Sequence, residues 1–494
     1  MMKSYIVRLI TVSFFVILGV SCQAKATNLS SYVEKAAAID VVRIEATGQR
    51  FEHQQTIAPG APARHASNYD LITHWAPERS LIKEQWNLRT IYPFPNNLNF
   101  TAIYHENTGV RNGRDGFRPN PGGLVTPARI GAVTKDLWLT NPLLLLAHNQ
   151  DSASKILKGQ SADDSYVFSA NDTQWRMRLD PETSLPVSIE TTEDDPLEVT
   201  ITNSINFSDW RDVDGVPFPF RLEQFVDGRS IRREVRKTIK LVSEDGSFDL
   251  PAGTDASVSI DASEYKRGWS QSHFYLRRAL IGGPSDGNEA AKVSIDKITD
   301  GIYQVTGSSH HTLIVEGSDG LAIVDAVWYP SRSYAILKKM EEKWPNKPIR
   351  YVVLTHHHID HVGGLRPFAN LDVTIVSSDK NTQYFSDVLS KTIENPPAME
   401  AVQERLVLNG LGDQPIELFD IPNSHANDMI GIYVPSSKTV LNSDLYSPGR
   451  PAQQKVWAGE LASAILFHGL DVESHVGAHG KGSEPHANLL AAIK

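Results

Sequence analysis

Cysteine is nearly absent. The 494 residues hold one, Cys22, close to the N-terminus. A body without thiols excludes disulfides, a cysteine nucleophile and thiolate ligands, so any metal site must be built from nitrogen and oxygen donors. Runs of lysine or arginine are also missing, and 48 basic against 58 acidic residues leave a formal net charge of −10. Nucleic acid is therefore not an expected partner. No internal repeat or low-complexity tract interrupts the chain. The length exceeds what one ordinary core supports, so two or three domains are expected. Hydrophobic content of 40% and charged content of 21% describe a soluble globular body.

The N-terminus departs from that average. Lys3 and Arg8 precede an apolar stretch from Leu9 to Val20, about a dozen residues, the length of a signal-peptide core and too short for a bilayer. Ala24-Lys25-Ala26 supplies a small-x-small cleavage pattern, which makes residues 1–26 a signal peptide and Thr27 the mature start. Losing Lys3, Arg8 and Lys25 takes the net charge from −10 to −13. The rival reading is lipidation at Cys22, since Gly19-Val20-Ser21-Cys22 loosely resembles a lipobox with glycine where leucine is usual. A third is an uncleaved anchor helix. The expected location is exported, periplasmic or secreted.

The body divides at a stretch rich in Gly, Pro, Asp and Asn, Ile281 to Asn288, read as a linker over 281–292. Residues 27–280 precede it. There, alternating segments such as Val199–Asn206 and Arg232–Leu241 are punctuated by Asp214-Gly215 and Asp227-Gly228, which predicts antiparallel β structure. Leu143–His148 is read as an inserted helix. The stretches Met177–Pro186 and Phe207–Pro219 resemble the outer-membrane lipoprotein-carrier-like modules. That resemblance implies a β half-barrel with helices in its concavity and an association with lipid or the outer membrane. No catalytic constellation stands out in this half.

Beyond 292 the pattern changes. Gly301–Val305, Thr312–Glu316 and Leu321–Asp325 read as strands, Arg332–Lys343 as a helix stopped before Trp344-Pro345, and Ile349–Leu354 as a buried strand. That last strand runs into Thr355-His-His-His-Ile-Asp-His-Val-Gly-Gly364. Imidazole and carboxylate suit a divalent ion, and loops at strand ends carry function. His356 and His358, two apart, can point the same way from extended backbone. Asp360 and His361 turn toward a second position, and Gly363-Gly364 permits the turn that follows.

This H-x-H-x-D-H pattern resembles the metallo-β-lactamase-fold hydrolases from about 293 to the end. The resemblance implies an α+β protein: a C-terminal αββα sandwich over 293–494 behind an antiparallel β-rich N-terminal domain. It also implies later ligands, and His425, Asp444 and His479 fill those places in order. By resemblance, His356, His358 and His425 hold one metal, and Asp360, His361 and His479 hold a second. Asp444 bridges them. Two ions, zinc first with manganese or iron as alternatives, would share a bridging hydroxide that attacks an ester, lactone or thioester. Asp360 would aim that hydroxide and Tyr446 would donate to a developing oxyanion. His310 and His311 are expected at the pocket mouth, Asp325 behind a histidine, and His357 pointing away. The segment 381–412 is read as the loop that selects substrate. Ser308–Thr312 and Pro348–Arg366 further resemble exported bacterial hydrolases of this fold with a β-rich N-terminal domain. The alternatives are a β-lactamase, which Asp444 counts against, and a lipid- or lipoprotein-binding protein with an accessory metal domain. The substrate is a small molecule in the main reading; the oligomeric state is not encoded in any motif. The short linker predicts that the N-terminal domain packs beside the metal edge.

Overall fold

The computed structural model describes residues 29–106, 108–114, 120–125, 127–149, 165–171, 173–243, 248–250, 292–450 and 455–494. The expected signal segment, Cys22 and the linker up to residue 291 lie outside them.

Among the described residues, the N-terminal part forms one twelve-stranded sheet from β1 (Val41–Glu52) to β12 (Arg229–Val242). Strands neighbouring in sequence pair with one another except β6 (Asn120–Val125) and β7 (Ser165–Ala170), which are the two edges, and β1 pairs antiparallel with β12. The alternation read from the sequence is the alternation of the sheet. The hairpins at Asp214-Gly215 and Asp227-Gly228 have positive φ at both residues, 53° and 86°, then 46° and 76°. Such two-residue turns match strand twist and favour Asp-Gly. Helices α1 (Pro127–Thr140) and α2 (Pro142–Ala147) share the sheet's apolar core through Leu137, Leu139 and Leu143–Leu146. Arg232 pairs with Asp136 at 2.9 Å, and Arg236 donates to the Thr140 carbonyl at 3.0 Å, which ties the helices to β12.

The C-terminal part holds two facing sheets. The first runs β13 (Ser294–Thr299), β14 (Ile302–Thr306), β15 (Thr312–Glu316), β16 (Leu321–Val324), β17 (Ile349–Val353), β18 (Thr374–Ser378), β19 (Ala398–Val402) in spatial order. It is antiparallel to β16 and parallel beyond. The second runs β20 (Arg405–Leu408), β21 (Ile416–Asp420), β22 (Ile430–Val434), β23 (Thr439–Asn442), β24 (Ser474–Gly477), β25 (Ser483–Pro485). Leu313, Val315, Val324 and Val353 meet Leu418, Ile432, Leu441 and Val476 between the sheets. On the outer face of the first, Ile314, Ile323 and Val352 pack with α3 (Pro330–Lys343), α5 (Leu365–Ala369) and α6 (Thr382–Ser390), past the short α4 (Ile359–Val362). On the outer face of the second, Phe419 and Val440 pack with α7 (Lys455–Phe467) and α8 (His486–Ile493). Three apolar layers between four layers of structure make the αββα sandwich. The 381–412 segment is a correction: it contains α6, β19 and β20 rather than one loop.

The two parts meet along a continuous interface. Arg366 donates to the Pro196 carbonyl at 2.8 Å, Lys391 pairs with Glu198 at 2.9 Å, and Leu197 is buried in the core beneath α5 and α6. The β1–β2 connection (β2, Arg64–Ala76) reaches furthest: the Ile359 amide donates to the Gln54 carbonyl at 3.3 Å and the Asn427 amide to the Ile57 carbonyl at 2.8 Å.

Candidate metal centre

β17 ends at Val353, and the amide of the next residue, Leu354, still bonds to the Val376 carbonyl of β18 at 2.9 Å. The chain then leaves the sheet, and His356 to His361 are all buried. The two glycines that follow are required by close backbone approach. A Cβ on Gly363 would lie 2.0 Å from the Trp328 carbonyl oxygen, and one on Gly364 would lie 2.3 Å from Ser333 Oγ. Trp328 is itself in the left-handed region, φ 69°. Gly363→Ala is therefore expected to destabilise the domain by at least about 2 kcal/mol, the scale of an overpacked core. Thermal unfolding checks this, with a lower melting temperature expected than for a control such as Gly459→Ala, where a Cβ meets nothing.

The inward face of each imidazole is set by what its other nitrogen does. His361 Nδ1 lies 2.9 Å from Asp325 Oδ2. His356 Nδ1 lies 3.1 Å from Thr355 Oγ1, which donates to the same Asp325 oxygen at 2.9 Å. His479 Nδ1 faces the Ser309 carbonyl at 3.2 Å, and His358 Nε2 faces the Thr56 carbonyl at 2.8 Å. A ring nitrogen facing a carbonyl or carboxylate carries the proton, so the opposite lone pair points inward. Asp325, expected behind a histidine, is fully buried with φ 62° and also accepts the Thr355 amide at 2.8 Å. A non-glycine residue held in that region costs about 1 kcal/mol or more, and these contacts hold it there.

The inward nitrogens converge on one carboxylate. Asp444 Oδ2 lies 2.8 Å from His425 Nε2 and 3.5 Å from His356 Nε2. Its Oδ1 lies 2.6 Å from His479 Nε2 and 3.0 Å from His361 Nε2. Yet His356 Nε2, His358 Nδ1, His361 Nε2, His425 Nε2 and Asp444 Oδ1 are buried with no hydrogen bond. Leaving one such atom unsatisfied typically costs about 1–3 kcal/mol. Five together, all lone-pair donors on buried side chains, fit divalent ions and nothing apolar. Ligand atoms within 4.8 Å of one another fall into two sets, His356–His358–His425–Asp444 and His310–His361–His479.

Electrostatics agree with that donor set. Burial, then the neighbouring His356 and His425, pushes His358 well below the ordinary imidazole range. Burial likewise takes His425 down to about 4 and, with His479 beside it, His310 down to about 3. Neutral imidazole is the form that binds metal. His361 is the exception: burial opposes its charge, but the facing Asp444 and Asp325 raise it well above the ordinary value. Asp444 in turn lies well below the carboxylate range, because His361 and His479 outweigh its burial. The carboxylate is built to be surrounded by positive charge.

Two expectations are corrected. Asp360, expected on the second ion, has Oδ1 accepting from Gln55 Nε2 at 2.6 Å and Oδ2 3.1 Å from His310 Nε2, which places it beside the His310–His361–His479 set. Tyr446 does not face the centre: its hydroxyl donates to Glu484 on β25 and its ring packs on His475 at 5.6 Å. His311 does not line the mouth; it bonds through Nδ1 to the Val305 carbonyl at 3.2 Å. His357 points away as expected, onto Asp428 at 2.9 Å. Not legible in the sequence are the residues that the N-terminal domain places at this centre. Gln55 and Thr56 bond to Asp360 and His358, Arg64 donates to the His425 carbonyl, and Tyr92 stacks over His425 at 6.4 Å. Trp457 meets the same ring at 4.5 Å and Phe94 at 6.2 Å, an aromatic rim drawn from both domains.

Residues 305–445 match the model of the metallo-beta-lactamase superfamily. Among curated proteins, the chain is 24% identical over 204 residues to 2,4-dinitroanisole O-demethylase subunit alpha of Nocardioides sp. (strain JS1661), covering 40% of this chain and 61% of that protein. It is 41% identical over 71 residues to a linear primary-alkylsulfatase of Pseudomonas sp, covering 14% of this chain and 10% of that enzyme. The match thus spans less than two thirds of the first relative and about a tenth of the second. Among solved structures, a metallo-beta-lactamase from Pontibacter korlensis aligns with 19% identity and a TM-score of 0.34, covering 41% of this chain and 97% of that one.

Proposed function

We propose that this protein, a metal-dependent hydrolase whose C-terminal domain belongs to the metallo-β-lactamase superfamily, holds two divalent ions and cleaves an ester-type bond of a small molecule outside the cytoplasm. The observation that supports two ions is the partition of Asp444: one oxygen faces His425 and His356, the other His479 and His361. His358 would complete the first site, and the His310–Asp360 pair would close the second. Zinc is the metal we favour. The ions, when bound, would supply Lewis acidity and water made acidic enough to attack at neutral pH.

The chain's own residues do the rest. Asp325, Thr355, Ser309 and Thr56 hold the imidazoles in one tautomer and one orientation. Asp360 uses one lone pair of each oxygen on Gln55 and His310. A carboxylate has about four such positions, so it can still accept a hydrogen bond from an attacking water and aim it. Tyr92 and Trp457, with Phe94 packed on Trp457, present apolar surface beside His425, which suits a substrate with an alkyl or aryl group next to the scissile bond.

Carboxylic esters, lactones and thioesters are the first substrate class. A sulfate ester is the second reading, favoured by the similarity to a protein named as an alkylsulfatase. Export rests on the Lys3–Ala26 leader, and lipid association on the carrier-like N-terminal stretches. The test is elemental analysis of purified protein together with a hydrolysis screen over lactones, thioesters, alkyl sulfates, phosphodiesters and a chromogenic β-lactam. About two ions per chain and turnover of an ester class is the expected result. Protein that binds no added zinc or manganese and hydrolyses nothing would favour the lipid-binding alternative.

A further inference from the structure

The β1–β2 connection belongs to a domain that, among the described residues, contributes to neither ligand set, yet it enters the centre. Gln55 is the most telling. It is buried, 3% exposed, and its amide is used at both ends: Nε2 donates to Asp360 Oδ1 at 2.6 Å while Oε1 accepts from the Tyr92 hydroxyl at 2.9 Å. These two contacts fix which end of the amide is which, because a phenol donates and a carboxylate accepts. Tyr92 is held in its turn, with Arg64 4.9 Å over its ring and His425 stacked at 6.4 Å.

We propose that Gln55 is a positioning residue of the metal centre: with His310 on the opposite oxygen it clamps the Asp360 carboxylate, and Tyr92 acts through it. The N-terminal domain is then a working part of the hydrolytic site rather than an attached module. The geometry supports this over simple domain packing. Packing contacts such as Arg366 to Pro196 and Lys391 to Glu198 lie on the outer helices, whereas Gln55 bonds to the one carboxylate in the His356–His361 cluster. The adjacent Thr56 carbonyl fixes the His358 ring from the same connection, so two consecutive residues steady one ligand of the first set and the carboxylate beside the second. This rests on the two-ion reading above.

The test uses the full chain loaded with zinc. Gln55→Leu keeps the bulk and removes both hydrogen bonds; Tyr92→Phe removes only the one to Oε1. Release of each ion to a chromogenic chelator is followed for the parent, both variants and the double variant. Loss of a partner that orients a metal site typically weakens metal affinity or activity about 10- to 100-fold. Gln55→Leu should therefore release one ion about tenfold faster and leave the other unchanged. Tyr92→Phe should shift the same ion in the same direction by less. The double variant should match Gln55→Leu alone, because Tyr92 works through Gln55 and the effects do not add. Parent-like release of both ions from Gln55→Leu would overturn the proposal, as would additive effects. Should Gln55→Leu fail to fold, Tyr92→Phe at its half-buried position carries the test, and parent-like release there overturns it. A parent protein that binds no metal would instead remove the two-ion reading on which this rests.

Discussion

Asp444→Asn is expected to lose metal and activity together, with kcat/KM falling about a thousandfold or more, on the order of 4 kcal/mol of transition-state stabilisation. The side chain keeps its shape, so the fold should survive. Its chemistry does not suit the place. The carboxylate offers a lone pair to each half of the centre, with His425 at 2.8 Å on one oxygen and His479 at 2.6 Å on the other. An amide must put its NH2 toward one of those halves. There it would donate to an imidazole lone pair that is otherwise available to an ion, blocking one site, while the negative charge that offsets two dications is gone from both. Elemental analysis and steady-state kinetics on one preparation check this, with circular dichroism as the folding control. Two ions retained at full activity would show that Asp444 does not bridge.

That carboxylate could be found from sequence because it follows a strand, Thr439–Asn442, in an order set by the motif before it. The same holds for His356 to His361. Consecutive residues at the end of a buried strand must emerge on one loop, so their proximity needs no tertiary knowledge. Asp-Gly hairpins were legible for a similar reason, since their positive φ values are a local demand. What local pattern cannot supply is contact across hundreds of residues. Gln55 and Asp360 are 305 positions apart, and nothing in His53-Gln-Gln-Thr56 distinguishes it from a polar turn. Tyr446 shows the opposite error. Two residues beyond Asp444 suggested a side chain facing the same site. The Asn442 side chain instead accepts the Tyr446 amide at 3.0 Å, and the chain turns so that the ring lies against His475. Helix α1 has little local signal because Gly131, Val133 and Thr134 give its sequence a weak helical preference; packing against the sheet through Leu137 and Leu139 supplies what propensity does not.

Asp360→Ala should be the next most damaging change, lowering kcat about a hundredfold, close to 3 kcal/mol. The carboxylate is buried, and its pKa lies below the ordinary value because His310 and His361 outweigh the burial that would raise it. It is thus a fixed negative charge facing the centre. Alanine removes the charge, the partner of Gln55 and the partner of His310 at once, leaving two buried polar groups unpaired. Asp360→Asn separates these losses. Its oxygen can still accept from Gln55, and its NH2 can donate to His310 if that ring moves its proton to Nδ1, where Ser309 Oγ lies 2.9 Å away. The asparagine variant should therefore keep the parent melting temperature while losing most of the rate, and alanine should lose both. Kinetics, metal content and thermal unfolding on the pair check the assignment. Near-normal kcat in Asp360→Ala with both ions bound would mean that water is aimed by another group, and His310 would be the residue to replace next.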